Sequence, residues 1–397
     1  MSKKSKIFEY IVLIFLFLQP WLDAITCIQL KNNLSFITIS SLVRGLFFCF
    51  ALFYLIKSKI NFKYLCLFMG YAFIFIIYTL VFTSNSITRE LANLLQIFYL
   101  PVLLLFFQNI KNSKINTKFI LLMNFIYLSL IIVPYFLKFG YYISDFYEEK
   151  KGFIGLFYGG NEISNILVGL FPISLGTLKK EKNNFIKISY FVALIFSTIL
   201  IGTKTLMLGV LLTLIYNFIK EIKCNVSSFH KSTKVLIFLI PALTIIGICI
   251  ILPFTPLYQN IMTTINFFNI NFSNLFSMYT LDKLIFSGRL SFFQNMNNIF
   301  INQNFISYLF GLGITTTSAI KLIEIDIFDI FYSIGILGII VYIILMITSL
   351  KNIKFHNSYK FTFFLLIFIS LIAGHVLTST AVSIYLCILP LLEQNSQ

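Results

Sequence analysis

Long apolar runs alternate with short polar segments along almost the whole chain. Twelve runs have roughly the length of a bilayer-spanning helix, about 20 residues at about 1.5 Å per residue. They lie at 7–28, 36–56, 64–82, 91–110, 119–137, 153–178, 186–201, 205–219, 235–252, 328–350, 361–378 and 379–392. The pattern predicts an all-α polytopic membrane bundle of about twelve transmembrane helices, forming one domain over residues 1–397.

Two long apolar stretches, 186–219 and 361–392, are each interpreted as a tight hairpin of two helices. The first turns at Gly202-Thr203-Lys204 and the second near Thr378-Ser379. The first run follows a basic start and has no small-residue cleavage site. We therefore interpret it as a retained helix and not as a signal peptide.

Residues 253–327, between the ninth and tenth predicted helices, form by far the longest connection. A connection of this length is usually functional or disordered, and its many Phe, Ile, Leu and Tyr residues argue against disorder. Apolar residues recur there at helical spacing, at Phe292, Phe293, Met296, Ile299 and Phe300. This spacing predicts an amphipathic helix in the outer membrane interface.

Composition and charge agree with a membrane location. Only 11% of the residues are charged, against about 25% in a typical soluble chain. The net charge of +16 suggests nucleic acid at first. However, twenty of the thirty Lys and Arg residues fall in the alternate segments 3–6, 57–63, 111–118, 179–187, 220–234 and 351–360. This is the positive-inside pattern. It predicts a multi-pass membrane protein with both termini cytoplasmic, the 253–327 loop outside and no nucleic-acid partner.

Acidic and arginine residues point to chemistry on the outer face. Ten of the fourteen acids fall on that side of the predicted topology, although acids contribute little to orientation. The chain has 27 Lys but only three Arg, at Arg44, Arg89 and Arg289. Arginine presents a rigid, bidentate donor fork that suits phosphate. Arg44 and Arg289 are therefore candidate binding residues for a pyrophosphate or an anionic head group, although arginine also snorkels to interfaces.

Four carboxylates are candidates for acid–base work. Glu162 follows Gly159-Gly160-Asn161 inside the sixth predicted helix, at a depth of roughly 13 Å. An ionisable group at that depth is a functional hypothesis by default, with structural pairing to Arg44 or Lys204 as the alternative. Glu324, Asp326 and Asp329 precede and enter the tenth helix, where capping accounts for one acid but not for three.

His375 lies near the outer end of the eleventh predicted helix and is either a base or a hydrogen-bonded packing residue. Lys204 lies in the predicted turn after the seventh helix. The six Cys have no neighbour at metal-ligand spacing, and no nucleotide-binding loop or nucleophile elbow is present. The sequence therefore predicts no metal and no cofactor.

Several short motifs, in order, resemble those of the O-antigen polymerase and O-antigen ligase superfamily of bacterial envelope proteins. The resemblance spans most of the chain and is strongest from Ser287 to Gly338. The matching segments are Gln19–Asp23, Leu42–Arg44, Gly160-Asn161-Glu162, Gly202–Thr205, Ser287-Gly288-Arg289, Gly311–Gly313, Glu324-Ile325-Asp326, Tyr332–Gly338 and Ala373–Leu377.

The resemblance implies a metal-independent glycosyltransferase of the bacterial cytoplasmic (inner) membrane that acts on a polyprenyl-pyrophosphate-linked oligosaccharide, beside membrane lipid. Arg289, Glu324, Asp326, Glu162 and His375 are then the expected catalytic residues. Arg44, Lys204, Asn161 and Asp329 are the expected substrate-binding residues. A chain-length regulator and a flippase of the same pathway are expected partners.

The favoured function is polymerisation of lipid-linked repeat units into an O-antigen, capsule or exopolysaccharide. Ligase-type transfer of the finished glycan to another acceptor is the first alternative. A polysaccharide flippase is the second, but transporters place their binding groups near the midplane of repeat-related helices, and the sequence shows no convincing repeat.

Overall fold

The computed structural model describes residues 3–32, 38–59, 62–110, 115–143, 152–225, 282–351, 353 and 357–394, with five isolated positions between 253 and 280. Its first half contains α1 (Lys3–Lys31), α2 (Ile39–Ser58), α3 (Phe62–Phe82), α4 (Ile87–Gln108), α5 (Thr117–Phe136), β1 (Tyr141–Tyr142), β2 (Phe153–Gly155), α6 (Gly160–Lys180), α7 (Asn184–Ile201) and α8 (Lys204–Asn225). Its second half contains a π-helical turn (Asp282–Phe286), α9 (Arg289–Ile301), α10 (Phe305–Phe310), α11 (Gly313–Ile320), α12 (Asp326–Leu350), α13 (Asn357–Ile372), α14 (Thr380–Cys387) and α15 (Leu389–Gln394).

The prediction of an all-α membrane protein is confirmed. Seven described helices are long and apolar enough to cross a membrane. Each predicted apolar run coincides with a helix except the ninth, at 235–252, which lies outside the described residues. The total of twelve spans therefore stays a prediction.

The core forms around α4 and α6, which are the most enclosed of the long described helices. Helices α2, α12 and α14 pack on α4, while α5, α8, α13 and α14 pack on α6. The peripheral α7 instead exposes an apolar stripe of Phe185, Ile188, Val192 and Ile195. Their spacing of three and four residues places them on one face of the helix. In a membrane this face is matched by lipid, so its exposure carries no penalty.

Both long apolar stretches are divided into separate helices, as predicted. The α7–α8 turn is short because Gly202 adopts a left-handed conformation and its N–H bonds to the Thr198 carbonyl, 3.0 Å away. In the second stretch, α13 ends at Ile372 and α14 begins only at Thr380. His375 therefore lies in the connection and not within a helix.

The sixth predicted run differs at its start. Residues 153–155 form strand β2, which pairs antiparallel with β1, and the helix begins only at Gly160. Gly152 and Gly155 adopt positive φ angles, which are incompatible with an α-helix. Glu162 consequently lies in the first turn of α6, and the predicted depth of roughly 13 Å along that helix was wrong.

The described part of the 253–327 connection is helical and packs on the bundle. The predicted amphipathic helix is α9, whose buried Met296 and Phe300 pack in a small apolar cluster with Tyr332 of α12. Gly335 breaks α12 with φ 66°, and this break lets the backbone at Gly311 approach closely. The Tyr71 hydroxyl donates to the buried Ile334 carbonyl at this break, 2.7 Å away. Helices α9 to α11 are therefore fixed over the end of the bundle.

Candidate functional site

The nine predicted site residues lie in two neighbouring clusters at one end of the bundle. The Arg289 centre contains Lys204, Arg289, Glu324, Asp326, Asp329 and His375. The Arg44 cavity contains Arg44 and Glu162, and Asn161 adjoins it on α6. The α13–α14 connection joins the two, because the Thr378 hydroxyl donates to Asp326 and the Ser379 hydroxyl donates to Glu162, over 2.7 and 2.8 Å.

Arg289 is the first residue of α9 and is almost fully buried. Two consecutive left-handed residues, Ser287 and Gly288, turn the chain into this helix. One Nη donates to the Ile372 carbonyl over 2.8 Å, and the other donates to Glu324 Oε2 over 2.9 Å. Nε is buried and has no hydrogen-bond partner among the described residues. The guanidinium is thus oriented but keeps one donor for a ligand.

Lys204 adds a second positive charge to this centre. It is the first residue of α8 and lies close enough to Arg289 for the two charges to repel. The preceding Thr203 hydroxyl bonds to the Ser164 hydroxyl of α6, 2.5 Å away, which fixes the turn against the core. These two cations are candidate anion-binding groups in a centre that also contains the carboxylates of Glu324, Asp326 and Asp329.

Asp326 is buried, and its carboxylate accepts four hydrogen bonds. The backbone N–H groups of His375, Val376 and Leu377 and the Thr378 hydroxyl donate to it over 2.7–2.8 Å. These contacts use both oxygens of the carboxylate. Asp326 therefore shapes the α13–α14 connection and holds His375 in place.

Asp329 and Glu324 differ in whether their carboxylates are occupied by backbone donors. The Asp329 carboxylate accepts the N–H groups of Ile323 and Glu324 over 2.8 and 2.9 Å, and so closes the turn before α12. Glu324 itself has φ 62°, and its side chain is 37% exposed. Of the three acids near α12, Glu324 has the carboxylate that faces open space.

His375 occupies a constrained position next to Gly374. Both residues have positive φ angles, and a side chain at Gly374 would collide with the Glu324 backbone. Asn165 of α6 donates to the Gly374 carbonyl over 3.0 Å, and its own Oδ1 is buried with no partner in the described part of the chain. The half-buried imidazole is thus held beside Glu324 by backbone geometry.

Arg44 lies in a polar network inside the apolar bundle. Its guanidinium bonds to Asp23 Oδ1 over 2.5 Å and to Gln19 Oε1 over 3.0 Å. The Tyr127 hydroxyl donates to the other Asp23 oxygen, and Tyr385 donates to Tyr127 in turn. Gln19 and Asp23 are four residues apart on α1 and so share a face. The charge of Arg44 is therefore compensated within the protein.

Glu162 lines the Arg44 cavity, which has a volume of about 180 Å³. Its Oε1 accepts the Ser379 hydroxyl over 2.8 Å. Asn161, in the same turn of α6, is half-buried.

Sequence reasoning missed several residues that build the site. Tyr127, Asn165, Ser379 and Glu90 were given no role there. Asn165 could have been recognised because it is a polar residue in an apolar run, and an amide in a membrane helix needs a hydrogen-bond partner. Nothing in the sequence indicated which partners Tyr127 and Ser379 have, because both contacts join segments more than 100 residues apart.

The fold and this site define a polytopic α-helical membrane protein with a charged centre where its helices end. Residues 5–275 and 278–392 match the family model of O-antigen ligase like membrane proteins. Because the match covers nearly the whole chain, the protein belongs to this family, and its expected membership of the O-antigen ligase and polymerase superfamily is confirmed. Membership indicates a glycosyltransferase-type enzyme that processes glycans at a membrane. No curated protein and no solved structure matches the chain.

Proposed function

We propose that this protein polymerises lipid-linked oligosaccharide repeat units into a surface polysaccharide on the outer face of the cytoplasmic membrane. The donor is a polyprenyl-pyrophosphate-linked glycan, and the acceptor is the next lipid-linked repeat unit. The Arg289 centre is the observation that carries the proposal. It brings two cations and a half-exposed carboxylate together at the end of the bundle where the family's glycan-processing reaction would take place.

The chemistry needs few groups. An acceptor hydroxyl oxygen forms a bond to the anomeric carbon of the donor sugar, while the bond from that carbon to the pyrophosphate oxygen breaks. The electron pair of the broken bond leaves with the polyprenyl pyrophosphate, and the hydroxyl proton passes to a base. Fixed cations stabilise the charge that develops on the leaving group. Arg289, whose Nε has no partner among the described residues, and Lys204 are the candidates for this role.

Glu324 is the first candidate for the base. A pyrophosphate that binds Arg289 competes with Glu324 for the guanidinium, and so frees the carboxylate beside the reacting atoms. His375 and Glu162 are the other candidates. Asp326 and Asp329 are better explained as positioning residues, because backbone donors occupy their oxygens.

The position of the charges also bears on the alternatives. Transporters gather their binding groups near the midplane, whereas the charged residues of this site cluster at helix ends and in connections. This argues against a flippase. The family description favours a second candidate reaction, in which the finished glycan is transferred to a different acceptor.

Deletion of the gene separates these reactions by the product left on the lipid carrier. Loss of a polymerase leaves single repeat units on the carrier, and loss of a ligase leaves finished polymer there. We expect single units, detected by mass spectrometry of carrier lipids, with long chains restored by the wild-type gene. Full-length polymer on the carrier would contradict the polymerase and support the ligase. Unchanged surface polysaccharide would contradict both.

A further inference from the structure

The Arg44 cavity is a second polar site that the Arg289 centre does not use. Its lining includes the Arg44 guanidinium, the hydroxyls of Thr26, Ser40 and Thr380, the carboxylates of Asp23 and Glu162, and the ring of Tyr158. Its wall includes the starts of α2 and α6 and the start of α14, so the cavity lies in the same end of the bundle as the Arg289 centre.

The charge of the cavity does not suit a phosphate. Arg44 is paired with Asp23 at 2.5 Å, and Gln19 occupies its Nε. The remaining ionisable wall residue is Glu162, so the lining side chains carry a formal charge of −1 at neutral pH. An anionic ligand would be repelled by that carboxylate. Arg44 is therefore a poor pyrophosphate site, whereas Arg289 keeps a buried Nε that has no hydrogen-bond partner among the described residues.

The cavity does suit a neutral ligand with many hydroxyl groups. The Ser40 hydroxyl is almost fully buried and lacks a hydrogen-bond partner among the described residues, and the Thr26 hydroxyl also lacks one there. Buried polar groups are normally satisfied, so these two indicate a partner supplied from the cavity. Tyr158 exposes 54% of its surface, and Lys31 Nζ lies 5.8 Å from its ring centroid, so the other ring face is left for stacking on an apolar ligand face.

We propose that the Arg44 cavity binds a sugar of the acceptor glycan, apart from the centre that holds the donor pyrophosphate. The assignment to an acceptor rests on the proposed function; the preference for a neutral sugar over a phosphate rests on the cavity alone. Glu162 and Asp23 accept hydrogen bonds from the sugar hydroxyls. The hydroxyls of Ser40 and Thr26 form further hydrogen bonds with the sugar, and Tyr158 stacks on the sugar ring. Ser379 on Glu162 and Thr378 on Asp326 place this sugar next to the Arg289 centre.

Binding to the purified full-length protein in detergent tests the proposal without an activity assay. The two probes are the free repeat-unit oligosaccharide, released by mild acid from the cell's own lipid carrier, and inorganic pyrophosphate. We expect Tyr158→Ala and Glu162→Gln to weaken oligosaccharide binding at least tenfold, as followed by saturation-transfer NMR. Tyr158→Phe should retain it because the ring remains. Pyrophosphate binding should be unchanged in all three variants and lost in Arg289→Ala.

Tyr10→Ala is the matched control, because Tyr10 is an exposed tyrosine at the opposite end of α1. Oligosaccharide binding that is absent in the wild type, or unchanged in the cavity variants, overturns the proposal. So does a loss of pyrophosphate binding in Glu162→Gln. Failure of the proposed function appears separately, as unchanged surface polysaccharide in the deletion strain.

Discussion

At the scale of single residues, hydrogen bonds separate carboxylates that the sequence treats alike. Asp326 accepts four bonds within the protein, whereas Glu324 shares one oxygen with Arg289 and is partly exposed. The first acid organises backbone and the second faces the site. Substitution by the matching amide should therefore affect stability at Asp326 and activity at Glu324.

We expect Asp326→Asn to lower stability and Glu324→Gln to lower activity. The amide nitrogen of asparagine cannot accept, so Asp326→Asn loses about two bonds to a charged group, or roughly 3–6 kcal/mol. Thermal unfolding in detergent and membrane abundance should both fall. Glu324→Gln still accepts from Arg289, so abundance should stay near normal while polymer synthesis falls at least tenfold. Normal synthesis by Glu324→Gln would rule out this base and leave His375 or Glu162.

Arg289→Lys tests whether geometry or charge matters at the Arg289 centre. Lysine keeps the charge but lacks the planar fork, and cannot bond to Ile372, Glu324 and a ligand together. We expect a loss of about 2–3 kcal/mol of transition-state stabilisation, roughly 30- to 150-fold in rate. Polymer ladders at matched membrane abundance measure this loss, with Arg289→Ala as the inactive reference. A lysine variant with wild-type ladders would mean that Arg289 supplies charge alone.

At the scale of elements, the long connection is fixed to the bundle by Glu90. This buried residue of α4 accepts the N–H groups of Ile314 and Thr315, both at 2.8 Å, and so caps α11. Beside it, Asn85 donates to the Leu312 carbonyl over 2.9 Å and accepts the Thr316 hydroxyl. The α3–α4 connection thereby holds the segment that leads into α12 and the Arg289 centre.

Glu90→Ala should release α11 without unfolding the bundle. Two buried N–H groups lose their acceptor, at a cost of about 1–3 kcal/mol each. We expect faster hydrogen exchange over residues 311–320 and lower activity. Arg89→Ala, at the adjacent exposed position, is the matched control and should change neither. Unchanged exchange in Glu90→Ala would show that other contacts hold α11.

At the scale of the whole molecule, the sequence was informative where lipid determines the pattern. Apolar runs predicted the membrane helices, because backbone polar groups must be satisfied within each helix in a bilayer. The helical spacing of Met296 and Phe300 also predicted α9, because both residues pack on one side of that helix against Tyr332. The motif order also led to the right superfamily.

The sequence was less informative where contacts are made between distant segments. Residues 153–157 are as apolar as the membrane helix that follows them, so the apolar pattern did not distinguish the strand at 153–155. Gly152 and Gly155 mark the bends of this strand. The compensation of Arg44 by Asp23 and the saturation of Asp326 depend on tertiary hydrogen bonds. Residue types alone could not separate a binding arginine from a paired one.

Reconstitution is the direct test of whether the Arg289 centre carries out glycosyl transfer between lipid-linked glycans. Purified protein in liposomes would be given lipid-linked repeat units as the sole substrate, and products would be sized by electrophoresis and mass spectrometry. We expect oligomers of increasing length with release of polyprenyl pyrophosphate, and at least tenfold fewer with Arg289→Lys at equal protein. Wild-type protein that leaves the repeat units unjoined, or an Arg289→Lys variant that joins them at the wild-type rate, would contradict this role of the Arg289 centre.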